Sequence, residues 1–114
     1  MAVSEGDLAF VLDQLDGIGE LRARRMFSGV GLYSGDVFFA LIHGGVLYLK
    51  VDDTTRARHT RRRLKPFQPD GMSAMTSYYP VPASILEDAD TLRVWAREAI
   101  GVAASARASK KRKK

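Results

Sequence analysis

The chain has 114 residues, 46% of them hydrophobic, with 18 Lys and Arg against 13 Asp and Glu and no cysteine. That length supports one domain with a single core, and the lack of thiols excludes disulfides and thiolate metal sites and suits a reducing cytoplasm. The net charge of +5 belongs to the end of the chain: residues 107–114 hold six cations, and the rest carries twelve Lys and Arg against the thirteen carboxylates.

Met1 to Asp7 is acidic, with no basic run before an apolar stretch, so no secretory signal is expected. Ser4 has the side chain of a helix N-cap, and Glu5 and Asp7 suit the positive end of a helix dipole. Leu8, Val11, Leu12 and Leu15 recur at helical spacing, and Gly17 and Gly19 follow as a stop. This predicts a helix from about Glu5 to Leu15. Phe27, Val30 and Leu32 lead into the turn signal Tyr33-Ser34-Gly35-Asp36. Val37 to His43 then reads as an apolar and aromatic strand, with a longest apolar run (Val37 to Ile42) far too short to cross a bilayer. Gly44-Gly45 supplies a tight turn, and Val46 to Val51 returns with Leu47, Leu49 and Val51 on one face. Together these runs predict a three-stranded antiparallel meander.

Asp53 to about Leu64 reads as a second helix capped by Asp52 or Asp53, with only Ala57 and Leu64 to bury and therefore at the surface. Residues 66–71 form a breaker-rich connection, and Ser77 to Val81 is β-prone, with Pro80 expected at a sheet edge. That edge leaves monomer and homodimer both open. Pro82 turns the chain, Ser84 to Asp88 suits a short helical turn, and Leu92, Trp95, Ala96, Ala99, Ile100 and Ala103 mark a long amphipathic helix. Residues 107–114 have nothing to bury and are expected to be a disordered basic tail. No internal repeat is present. The predicted fold is α+β: an antiparallel sheet of four to five strands with helices packed on one face, in the order α-β-β-β-α-β(β)-α.

The residues also resemble a known family. Arg25-Met26-Phe27-Ser28-Gly29-Val30-Gly31-Leu32-Tyr33 is similar to a segment of the N-terminal domain of the TfoX/Sxy family, bacterial regulators of competence genes. Phe39-Ala40-Leu41-Ile42, Leu47 to Asp52, Thr55 to Arg58, Pro66-Phe67, Tyr78-Tyr79, Val81-Pro82 and Leu92 with Trp95-Ala96 resemble later segments in the same order. The similarity runs over roughly residues 5 to 105 and implies a domain over residues 1–106, with a layered fold similar to that of type III secretion chaperones. Full-length members act with the cyclic-AMP receptor protein at competence promoters and carry a second, helical C-terminal domain, which is not expected within 114 residues. His59 stands where members commonly have Phe, and the stretch after Leu64 is shorter and more basic than usual.

Reaction chemistry is not indicated. His43 lies beside the Gly44-Gly45 turn and His59 within a run of arginines, neither with partners at metal-ligand spacing. Gly29, Gly31 and Gly35 precede a strand rather than a helix, so they suit bulges or close backbone contacts and not a phosphate cradle. No enzyme activity, cofactor or metal is expected. The basic run Arg56, Arg58, Arg61, Arg62, Arg63 and Lys65 is either a solvated helix face or a contact for nucleic acid or another anion. Lys110, Lys111, Arg112, Lys113 and Lys114 are either a solubilising end or a flexible arm for nucleic acid. Tyr33, Tyr48, Tyr78 and Tyr79 are candidates for a partner surface, with one of the adjacent pair expected exposed or edge-on. Phe27, Phe38, Phe39 and Trp95 are assigned to the core. Two functions follow: a cytoplasmic interaction module binding a protein partner, by resemblance a transcription regulator, or a small basic protein binding nucleic acid non-specifically through the arginine run and the tail.

Overall fold

The computed structural model describes residues 5–26, 29–68 and 71–112, and the side chains of residues 8–26, 29–68 and 71–108. The Ser4 cap, the core assignment of Phe27, and Lys113 and Lys114 lie outside the described residues. The apolar stripe at the start forms α1 (Glu5–Gln14), and Val11, Leu15 and Ile18 bring it into the core. The chain then enters a strand that the hydrophobic pattern does not announce, β1 (Leu21–Met26). Its sequence Leu-Arg-Ala-Arg-Arg-Met has no apolar alternation, and every residue after Leu21 is exposed. It is a strand because its backbone pairs with β2 (Gly29–Ser34), from Leu21 opposite Ser34 to Met26 opposite Gly29. With β3 (Val37–His43) and β4 (Val46–Lys50) the meander has four strands instead of the expected three. Gly44 and Gly45 take φ of 58° and 76°, as the two-residue turn between β3 and β4 demands.

Asp52 caps α2 (Asp53–Thr60): its Oδ1 accepts from the amides of Thr54 and Thr55 at 3.0 and 2.9 Å, and Thr55 Oγ1 accepts from the Asp52 amide at 3.0 Å. The helix is shorter than predicted, because the amides of Arg62 and Leu64 both turn back to the His59 carbonyl and Arg63 takes φ 59°. Its buried residue is His59, with Ala57 exposed, so the expected packing pair of Ala57 and Leu64 is corrected. β5 (Tyr78–Pro80) pairs with β4 and closes the sheet in the order β1-β2-β3-β4-β5, with Pro80 on an edge strand as expected. α3 (Ala83–Leu86) is followed by α4 (Ala89–Arg112), whose first turn is capped by Asp88 through the amide and hydroxyl of Thr91. The α4 backbone continues through residues 107–112, where a disordered tail was expected. Ala, Lys and Arg are strong helix formers, and the packed part of α4 supplies the nucleus that they extend.

The result is an α+β fold with a five-stranded antiparallel sheet. Directly opposed residues in such a sheet point to the same side. Val30, Leu32, Ala40, Ile42, Leu47, Leu49 and Tyr79 share one side through their register, and all are buried. Against this side α4 lays Leu92, Ala96, Ala99 and Ala103, small residues that let the helix approach β3 and β4 closely. A bulge between β2 and β3 leaves Phe39 without a cross-strand partner and fully buried in the core. The helices occupy this one side, as predicted.

Candidate functional site

Among the described residues no helix lies over the other side of the sheet. Two short rows meet on it: Arg22 on β1 is opposite Tyr33 on β2 and Tyr33 is opposite Phe38 on β3, while Lys50 on β4 is opposite Tyr78 on β5. The rings touch along and between these rows, with centroids 5.2 Å apart for Tyr33 and Phe38 and 5.8 Å for Phe38 and Tyr78. Lys50 Nζ lies 5.0 Å from the centre of the Tyr78 ring. The next row runs Arg24, Gly31, Leu41, Tyr48 and Pro80. Gly31 is required here, since a Cβ would sit 2.8 Å from Met26 Sδ and 2.9 Å from Phe38 Cε1. At Gly29, on the row beyond and opposite His43, a Cβ would meet the Ile42 carbonyl oxygen at 2.4 Å. Both glycines are thus close-contact positions, as their sequence context suggests.

The connection after α2 covers part of this face. Phe67 packs on Tyr48 at 4.9 Å and on His43 at 5.3 Å, and its amide donates to the Tyr78 carbonyl. The part around Arg22 and Tyr33 is left more open: Tyr33, Phe38 and Lys50 are half-buried, and Arg22 and Arg24 are exposed. Arg22, Ala23, Arg24 and Tyr33 line a shallow depression of about 210 Å³. Arg22 donates to the Gly35 carbonyl at 2.7 Å and stands 3.5 Å from Asp36, a loose pair whose side chains are 64% and 80% exposed. Burial pushes the Tyr48 hydroxyl above its usual pKa, and burial followed by the nearby Tyr33 does the same for Tyr78, so both stay protonated.

The candidate tyrosines divide. Tyr33, Tyr48 and Tyr78 gather on the helix-free face, whereas Tyr79 points to the helix side and packs 5.6 Å from His59. Tyr78 and Tyr79 are both 6% exposed, so of the expected alternatives, exposed or edge-on, the exposed one is corrected. A strand whose one side meets helices and whose other side meets Phe38 and Lys50 buries both. Phe38 belongs to the helix-free face and not to the main core. The signal for this face was the two-residue spacing of Arg22, Arg24 and Met26, and it has no meaning until β1 is known to be a strand.

The arginine run is dispersed. Arg56 pairs with Asp53 at 2.6 Å and donates to the Thr76 carbonyl at 3.0 Å. Arg58 pairs with Glu98 and lies 4.6 Å from the Trp95 ring centre, and Arg62 lies 5.5 Å from the same ring and donates to the Arg58 carbonyl. Arg61, Arg63 and Lys65 are exposed. Lys110, Lys111 and Arg112 continue the α4 backbone, and their side chains are outside the described set.

The titratable groups singled out by the sequence have structural partners. His59 is 2% exposed, between Tyr79 and Trp95, with Nδ1 3.0 Å from the Pro80 carbonyl oxygen. Burial lowers its pKa, the Pro80 contact opposes that, and the charges of Arg58 and Arg62 add to the lowering. Hydrogen bonds from Thr54 and Thr55 lower the Asp52 pKa, and those from Thr91 lower that of Asp88. Among the described residues no His, Asp and Glu group has metal-binding geometry, and no helix is long and apolar enough to cross a membrane.

Comparison with known proteins matches the family described as TfoX N-terminal domain to residues 13–103, which is most of the chain and includes the whole sheet. No curated protein matches it.

Proposed function

The chain belongs to the TfoX N-terminal domain family, and from that premise we propose that it is a non-enzymatic interaction module whose contact surface is the helix-free face of its sheet. The observation that carries this is the group Arg22, Tyr33, Phe38, Lys50 and Tyr78. It presents aromatic area and fixed charge on a side that receives no helix among the described residues. Aromatic and arginine side chains provide most of the energy at protein recognition surfaces. His59 is held in packing, and Asp52 and Asp88 are held in capping. The module acts by contact in the cytoplasm, in the setting of transcription control that the family resemblance implies.

Capture from the source cells tests this. Tagged wild-type chain should retain a partner that Arg22→Glu/Arg24→Glu loses and that Arg61→Glu/Arg63→Glu keeps. The same retained set for all three overturns the assignment of the sheet face.

A further inference from the structure

We infer that the ligand of this face is single-stranded nucleic acid, bound with its bases against Tyr33 and Phe38 and its phosphates at Arg22, Arg24 and Lys50. The inference rests on the sheet face being the contact surface and adds the chemistry of what it contacts.

Charge is the first argument. The five strands carry four permanent cations, Arg22, Arg24, Arg25 and Lys50, and not one carboxylate. The rest of the chain up to residue 106 holds eight Lys and Arg against thirteen Asp and Glu, so the sheet is basic within an otherwise acidic body. Two carboxylates stand at the sheet's β1 end: Asp36, in the turn between β2 and β3 and only loosely paired with Arg22, and Glu20, beside Gly35. A polyanion laid along β1 would therefore meet net positive charge, with Arg24 free of an ion pair among the described residues, and each phosphate engaged releases counterions.

The order of side chains is the second. Across the sheet the two rows read cation, ring, ring and cation, ring. Neighbouring strands lie about 4.8 Å apart, so cations flank the Tyr33 and Phe38 rings within reach of one or two nucleotides. Every base has a π-face that a tyrosine or phenylalanine ring can receive, and guanidinium groups stack as well as pair. Arg22, Arg24 and Tyr33 line the same shallow depression. The rings lie in the middle of a sheet, where the stacked bases of a duplex cannot reach them and splayed bases of a single strand can.

Fluorescence anisotropy with labelled oligo(dT) of about 12 nucleotides, a length on the scale of one such site, tests the inference against a duplex of equal length from about 50 to 200 mM salt. Wild-type protein should bind the single strand more tightly than the duplex. Arg24→Glu, at an exposed position, should weaken binding about tenfold and reduce the salt slope by roughly one. Tyr33→Ala should weaken it by on the order of tenfold, and Tyr33→Phe should restore it, since the ring and not the hydroxyl does the stacking. The 114-residue chain with Lys110, Lys111, Arg112, Lys113 and Lys114 all changed to Gln should keep the difference between wild-type and Tyr33→Ala. Absence of saturable oligo(dT) binding at low salt overturns the inference. So does binding that the tail substitutions abolish and that Arg24→Glu and Tyr33→Ala leave unchanged. A protein retained by the wild-type chain and lost with Arg22→Glu/Arg24→Glu, in the absence of oligonucleotide binding, overturns the nucleic-acid ligand and leaves the contact face standing.

Discussion

His59 makes the stability of this protein depend on pH in a direction that its environment dictates. Its ring is 2% exposed, Nδ1 donates to the Pro80 carbonyl at 3.0 Å, and Arg58 and Arg62 lie close by. Burial is the largest influence and lowers the folded-state pKa below the ordinary value of 6.5. The unfolded chain therefore takes up a proton at a higher pH than the folded chain. Stability is complete above about pH 6.5 and is lost as pH falls below it, by at most about 1.4 kcal/mol per pH unit until the folded protein also protonates. Against a total of about 5–15 kcal/mol for a domain of this kind, that loss is measurable. Urea unfolding followed by Trp95 fluorescence suits the purpose, since Trp95 is the sole tryptophan and lies 5.4 Å from the His59 ring. The comparison is His59→Phe, which keeps an aromatic ring and removes the titration; the lost hydrogen bond costs about 1 kcal/mol near neutrality. Between pH 7.5 and 5 the wild-type stability should fall more steeply than that of His59→Phe, with His43 common to both. Parallel profiles, or a wild type that gains stability on acidification, would refute the buried neutral imidazole.

Three further outcomes follow from the packing. Gly29→Ala should destabilise more than Gly31→Ala: the first meets a backbone carbonyl at 2.4 Å, the second the movable end of Met26 and the rim of Phe38. For Gly31→Ala thermal or urea unfolding should show a loss of about 1–3 kcal/mol, with a greater loss for Gly29→Ala. Arg58→Ala should cost about 1 kcal/mol, as it removes the contact with Trp95 and the pair with Glu98. Arg61→Ala, exposed just past the end of α2, should stay within about 0.5 kcal/mol of wild type. Phe39→Ala, in the fully buried bulge position, should cost about 3–5 kcal/mol by denaturant titration.

Much of this architecture can be read locally. The Leu8 to Leu15 stripe, the Gly44-Gly45 turn, the Asp52 cap and the Leu92 to Ala103 periodicity each depend on residues within a turn or two of one another, so the residues themselves carry the signal. The α+β class and the family resemblance follow from such segments in order. The candidate contact surface is different. Arg22, Arg24 and Met26 form a face only because β1 pairs with β2, a pairing of backbone groups that leaves no mark in a run of exposed arginines. Tyr78 and Tyr79 have the same side chain and opposite destinations, set by whether the neighbour across the sheet is Lys50 or Leu49. His59, amid five arginines, is polar by composition and buried by position, because α2 rests that one side on Tyr79 and Trp95. Periodicity, caps and turn glycines are properties of the chain alone. Which side of the sheet a side chain joins, and whether a helix covers it, is decided by register and packing between segments far apart in sequence.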